Sequence, residues 1–174
     1  MGIYQYLDAI PQIGEKCYIA ESAELIGNVV IGDNCYIGPK AVIRADYGKI
    51  VIGANSSVEE GVLMHARPGE LCETGQWVTL GHGCIVHGAR IHDYAVIGMG
   101  AIASDFCDIG VWAAIGEGAV VRSKQKIPEG AIAVGIPAKV IGETSPEYRR
   151  QWEFFKANYV ELAENYASRL KKIG

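Results

Sequence analysis

All four histidines of this 174-residue chain, His65, His82, His87 and His92, fall within one short stretch. Neutral imidazole suits a borderline-soft cation. Three imidazoles leave the fourth tetrahedral position free for water, the arrangement of a catalytic site rather than of a closed structural one. A metal held this way lowers the pKa of its water to about 7, which makes hydroxide available at neutral pH. Zinc is the expected ion, and iron(II) or cobalt accept the same ligands. The five cysteines, an odd number without a CxxC pair, argue against a thiolate knuckle or a disulfide framework. A single histidine is more often structural than a ligand, so the reading depends on how the chain spaces these four.

The spacing comes from a repeat. Large aliphatic residues stand at Ile13, Ile19, Leu25, Ile31, Ile37 and Ile43, six apart without a miss. The period resumes at Ile52, Val58 and Met64, and again at Ile85, Ile91 and Ile97. It slips to Ala103, then runs through Ile109, Ile115, Val121 and Ile127. Four residues after most of these sits a small one, among them Cys17, Ala23, Cys35, Ala41, Ala95 and Ala113. An amphipathic helix would repeat at 3.6 residues instead. A six-residue unit points one aliphatic inward and turns a corner on small residues, so three units close a triangular turn of 18. Successive turns stack as parallel strands about 4.8 Å apart, and only the stack buries the aliphatics. The expected fold is therefore all-β, a parallel β-helix spanning residues 1–144.

Two breaks interrupt the period. From Ile43 to Ile52 there are three residues too many, which puts a loop near Asp46-Tyr47-Gly48-Lys49. From Met64 to Ile85 there is one turn plus three, with the surplus at Ala66-Arg67-Pro68-Gly69-Glu70, a turn-rich stretch that reads as an extruded loop. Insertions in repeat coils collect where function is grafted on, and both breaks flank the histidines. Allowing for the insertion, His65 and His87 share an edge of neighbouring turns. His82 lies five residues before His87, about 16 Å of extended chain, too far for easy convergence within one chain. A third ligand from a second subunit would resolve this. His92 stands where the repeat usually has glycine and reads as a surface residue.

Residues 145–174 form a separate element. Ser145 is an N-cap with Pro146 at the first helical position. Trp152, Phe155, Tyr159, Leu162, Tyr166, Leu170 and Ile173 then recur every three or four residues. This predicts one amphipathic helix of roughly 28 residues, about 40 Å long, packed on the coil or on a neighbouring subunit. Cys17 and Cys35, one full turn apart in the repeat, are expected to stack as small corner residues rather than as a disulfide. With 16 basic and 20 acidic residues and no Lys/Arg-rich run, nothing suggests nucleic acid. No apolar stretch approaches a bilayer span, and the N-terminus lacks the basic region of a signal peptide. The expectation is a cytoplasmic protein with no membrane partner.

Four segments carry a resemblance. Arg44-Ala45-Asp46, Glu59-Glu60-Gly61-Val62-Leu63-Met64-His65, Thr79-Leu80-Gly81-His82-Gly83-Cys84-Ile85-Val86-His87-Gly88 and Ile97-Gly98-Met99-Gly100-Ala101 are similar to γ-class carbonic anhydrases. The similarity covers roughly residues 10–142. It implies a left-handed coil, against the usual crossover rule, and a homotrimer with zinc at the subunit interfaces. His65 and His87 would come from one chain and His82 from the next. Arg44 and Asp46 would form an ordering ion pair, although as an ordinary loop pair they would contribute at most about 1 kcal/mol. The sequence departs from the family at Glu59-Glu60, where Gln-Asp is common. Glu59 would take the place of the Gln that orients the reactive water, and its charge would raise that water's pKa. The acidic proton-shuttle loop is not recognisable, and Glu70 and Glu73 are weak substitutes.

The resemblance implies a zinc enzyme for reversible hydration of CO2 to bicarbonate, with Glu59, Arg44 and Asp46 in supporting roles and protons leaving through Glu59, Glu70 or water. Three other functions compete: a coenzyme A-dependent acyltransferase using a histidine as general base, an acyl-CoA thioesterase, and a metal-binding trimer without turnover. Gly135-Ile136-Pro137-Ala138-Lys139 does not discriminate, because hexapeptide acyltransferases carry it too.

Overall fold

Alternation along each short strand sends one side chain inward and its neighbours outward. Parallel pairing of successive turns therefore gathers the inward residues into three columns. One contains Leu25, Ile43, Met64, Val86, Ala103 and Val121, all essentially inaccessible to solvent. A second runs through Ile31, Ile52, Thr74, Ile91, Ile109 and Ile127, and the third through Ile37, Val58, Leu80, Ile97 and Ile115. Each such aliphatic removed from water stabilises the coil by roughly 1.5–3 kcal/mol. The computed structural model describes residues 2–174: a left-handed parallel β-helix of about seven turns, followed by one α-helix. The last strand, Lys139–Glu143, runs antiparallel to Ala131–Val134 and closes the final turn.

The corners depend on a left-handed residue just before each small one. Asn34, Asn55 and Lys40 take this conformation, as do bulkier residues at Trp77, Tyr94 and Trp112. A left-handed residue other than glycine costs about 1 kcal/mol or more. Along this edge the cost is offset by stacking. Trp77 and Tyr94 stack 6.2 Å apart with nearly parallel rings, Tyr94 and Trp112 4.7 Å apart, and the Arg149 guanidinium covers Trp112. Cys17 and Cys35 are free and occupy corners, their thiols donating to the Gly32 and Gly53 carbonyls.

Three expectations are corrected. The inward residue after Leu80 is Val86, not Ile85, which is 38% exposed. Met64 pairs with Val86 across a lengthened turn, whereas Val86 pairs with Ala103 across a shortened one. The loop therefore adds four residues rather than three, and the corner after His87 is one residue short. Second, residues 46–49 are not a loop. The strand Val42–Ile52 runs through them unbroken, because the inserted stretch pairs with them: Gly69 N–H donates to Tyr47 O at 3.0 Å and Lys49 N–H to Glu70 O at 2.9 Å. Third, the helix spans Pro146–Arg169, 24 residues, with Leu170 already extended as its C-cap. The Ser145 side chain caps its N-terminus, accepting from Tyr148 N–H.

The helix lies along the third face of its own coil. Tyr166 packs edge-on against Tyr18, and Tyr159 against Tyr36, outward residues of that face. Lys156, 2% exposed, donates to Thr79 Oγ1 and the Ala95 carbonyl. Among the described residues no helix is long and apolar enough to cross a membrane.

Candidate metal centre

On the first face, the strands Val42–Ile52, Leu63–His65 and Ile85–His87 pair in register, Arg44 with His65 and His65 with His87. Ile43, Met64 and Val86 point inward, so the residues on either side point out. Arg44, His65 and His87 therefore form an outward column, with Val42, Leu63 and Ile85 beside it. The spacing expectation holds here: two histidines meet on one edge.

His65 Nε2 donates to Asp46 Oδ1 at 3.1 Å, and His87 Nδ1 donates to Asp105 Oδ1 at 2.5 Å. An ionised carboxylate only accepts, so both protons are assigned. The remaining nitrogens, His65 Nδ1 and His87 Nε2, face each other at 3.0 Å. Two lone pairs at that distance repel, and either a second proton on one ring, shared as an N–H···N bond, or a metal ion held by both nitrogens relieves the repulsion. Imidazoles whose far nitrogens are held by carboxylates are a recurrent metal-binding arrangement, so this pair fits two zinc ligands. Arg44 pairs with Asp46 Oδ2. Burial pushes the Asp46 carboxyl up, but the Arg44 and His65 bonds outweigh it and hold the group below its ordinary value. Arg67 grips Asp105 through Nε at 2.8 Å and Nη2 at 2.9 Å, the main reason that carboxyl also lies low.

His82 is not with them. It follows the third-face strand Thr79–Leu80, in the turn leading to the first face, so it stands at the opposite edge of that face from His87. Its ring is held by two carboxylates, Nε2 3.1 Å from Glu59 and Nδ1 2.6 Å from Glu60. Glu59 Oε2 also takes the His82 backbone N–H at 3.2 Å, and Tyr159 of the helix lines the same groove as Glu59. Glu59 is 5% exposed, and burial raises its carboxyl pKa, with the His82 charge opposing. Glu60 is fixed from behind by Tyr36 OH at 2.7 Å. To ligate a metal, His82 must release one of its carboxylates.

Among the described residues, no three His, Cys, Asp or Glu side chains of one chain could hold an ion together. Arg44, Asp46, His65 and His87 form one cluster, and Glu59 and His82 another. Asp105, Arg67, Glu60 and Tyr159 were missed from sequence. Asp105 carried a usable signal, because it lies one regular turn beyond His87. His92 pairs with Asp108 at 2.8 Å, away from both clusters. Glu73 is held by Arg90, while Glu70 is exposed. Next to Glu59 and His82, a groove of about 660 Å³ runs between the helix and the coil, walled by Val96, Ala114, Ile115, Val134, Trp152 and Phe155.

Comparison with known proteins agrees with this architecture. A family model described as bacterial transferase hexapeptide (six repeats) matches residues 10–45. A Methanocaldococcus jannaschii protein named "Probable carbonic anhydrase" is 40% identical over 156 residues, 90% of this chain and 98% of its own. A carbonic anhydrase of Geobacillus kaustophilus is 37% identical over 164 residues, covering 94% and 90%. The solved structure of a hexapeptide transferase family protein from Anaplasma phagocytophilum matches with a TM-score of 0.89 at 27% identity, over 95% of this chain and 98% of that one. Coil and repeat define a hexapeptide-repeat β-helix protein. Within that class, the chain belongs to the γ-class carbonic anhydrase family.

Proposed function

We propose that this protein is a zinc enzyme for the reversible hydration of CO2 to bicarbonate, working as a cyclic homotrimer. Each site would use His65 and His87 of one chain and His82 of the next. The observation that carries this is the His65–His87 pair: two ring nitrogens meet at 3.0 Å, each ring backed by a carboxylate on its far side. Zinc held there would supply a water ionisable near neutral pH.

The assembly has its own support. Between the two histidine edges, the first face exposes an aliphatic stripe in register: Val42, Leu63, Ile85, Ile102 and Val120, with Leu63 42% and Ile85 38% exposed. An apolar strip with one half-site on each side suits a heterologous contact, and such contacts make rings when the rotation closes. In that ring Glu59 stands beside His82, facing the partner's histidine pair. Its buried carboxyl, with its pKa raised, can accept and release a proton closer to neutrality than an ordinary glutamate. Arg44 and Asp46 hold His65 in place.

The test is complementation. His65→Ala and His82→Ala homotrimers should each lose bound zinc and activity. In a cyclic trimer refolded from an equal mixture, a site is whole where a His82→Ala chain supplies the pair and a His65→Ala chain supplies His82. That is about one site in four. Recovery of zinc and CO2 hydration towards a quarter of wild type is expected. If wild type survives the same refolding and the mixture regains nothing, the shared site is wrong.

A second reading has one observation in its favour. The groove of about 660 Å³ beside Glu59 and His82 is far larger than CO2 needs and fits an acyl chain, as an acyltransferase or thioesterase would require. Acyl transfer that persists after complete chelation of the metal would favour it.

A further inference from the structure

After the three-residue lengthening between Ile43 and Ile52, the coil departs from its regular turn twice more, by four residues too many between His65 and His87 and by one too few after His87. Neither change is needed for packing, because the aliphatic columns continue through both. Their shared consequence lies at Asp105. The surplus residues put Arg67 beyond the end of the His65 strand, and the Arg67 guanidinium reaches Asp105, two turns away. It must cross the level of the intervening turn, where the shortened corner holds Gly88 in the left-handed region at φ 56°. A Cβ at that position would lie 2.9 Å from Asp105 Oδ1. A side chain there would therefore compete with the carboxylate that takes the His87 proton.

We infer that the inserted loop and the short corner together build a clamp, Arg67–Asp105–His87, in which Arg67 and Asp105 are positioning residues that fix the tautomer and aim of His87 toward the His65 pair. Arg67 fills two acceptor positions of the carboxylate, through Nε on Oδ1 and Nη2 on Oδ2, and Oδ1 also takes His87 Nδ1–H. Asp105 cannot turn away without breaking a two-point contact. His87 is therefore kept with Nδ1 protonated and Nε2 aimed at His65. The loop itself is held by Gly69 N–H on Tyr47 O and Glu70 N–H on Arg67 O, both at 3.0 Å. The inference rests on the proposal that His87 is a metal ligand.

The experiment uses the full-length assembled protein and measures zinc affinity by competition with a chromophoric chelator. Imidazole 15N shifts of the metal-free protein report the His87 tautomer. Losing a partner behind a ligand histidine weakens metal binding roughly 10–100-fold. Asp105→Ala and Arg67→Gln should each fall in that range. The double variant should be little worse than Asp105→Ala, because both act through one contact. Asp105→Ala should also abolish the exclusive Nδ1–H signal of His87, which a purely structural role would leave alone. Gly88→Ala tests the same clamp without touching either partner and should weaken zinc binding in the same direction. Wild-type affinity and tautomer in Asp105→Ala, while His87→Ala loses the metal, would overturn the clamp. Wild-type affinity in His87→Ala would overturn the ligand proposal itself, and the clamp with it.

Discussion

Replacing Lys156 by Met removes a cation buried beneath the C-terminal helix. Its Nζ donates to Thr79 Oγ1 at 3.0 Å and Ala95 O at 3.3 Å and lies 5.5 Å from the Trp152 ring centre. Burial pulls its pKa from 10.5 down to about 7, opposed by the Glu59 charge. Below pH 7 the folded and unfolded chains both hold this proton, and the folded state bears the whole cost of burying the charge. Between pH 7 and 10.5 only the unfolded chain holds it, so folding stability rises with pH. The slope is about 1.4 kcal/mol per pH unit, giving roughly 4 kcal/mol from pH 7 to 10. Methionine has a similar length and no charge. The Ala95 carbonyl keeps the Thr79 N–H at 3.1 Å, so the substitution strands no acceptor there. Lys156→Met should therefore be several kcal/mol more stable than wild type at pH 6, with most of that advantage gone at pH 10. Guanidinium unfolding of both proteins at pH 6, 8 and 10, at one fixed chain concentration, gives the comparison. Groups that do not interact with residue 156 cancel in the difference. An advantage that is the same at pH 6 and pH 10 would refute the assignment of a charge-burial cost to Lys156.

Glu59→Gln removes a buried negative charge beside the candidate site, which eases ionisation of water there. The pH–activity profile should move to lower pH, and an unmoved profile with metal still bound would put Glu59 outside the reacting centre. His92→Ala should keep full metal content by elemental analysis, because His92 pairs with Asp108 away from the other histidines; metal loss would add a ligand that the geometry does not. Leu63→Glu places a charge in the middle of the aliphatic stripe. Light scattering should show monomers with an intact β signature, and a trimer that persists would take the stripe out of the interface.

The fold was legible because a β-helix repeats the same physical demand every six residues, and the aliphatic columns answer it in plain sight. Periodicity failed where two neighbouring residues could meet the demand equally. Ile85 and Val86 are both β-branched aliphatics, and only the short corner after His87 decides which turns inward. It failed again at residues 46–49, whose extended backbone depends on hydrogen bonds from the inserted loop in the next turn. The helix end failed for a different reason. Leu170 and Ile173 continue the three-to-four spacing, but the coil offers them nothing to cover. They stand 58% and 100% exposed, and the helix has ended.

The candidate site was half legible, and the missing half follows from what a histidine needs. Composition singled out His65, His82 and His87, because imidazole is foreign to a repeat of aliphatics, glycine and small residues. The carboxylates behind them looked ordinary, since Asp and Glu occur at many outward corners. In a stacked coil, however, a residue one turn away in sequence is a spatial neighbour. Asp105 stands 18 residues beyond His87, and Asp46 stands 19 residues before His65. Glu59 stands 23 residues before His82, one turn lengthened by the inserted loop. A search for acids within two residues of the position one turn from each histidine finds all three. The same offset distinguishes His92, whose acid, Asp108, lies 16 residues on but whose neighbouring turns bring no second histidine. The pairing of imidazole with imidazole, rather than the presence of an acid behind the ring, separates the candidate ligands from a surface ion pair.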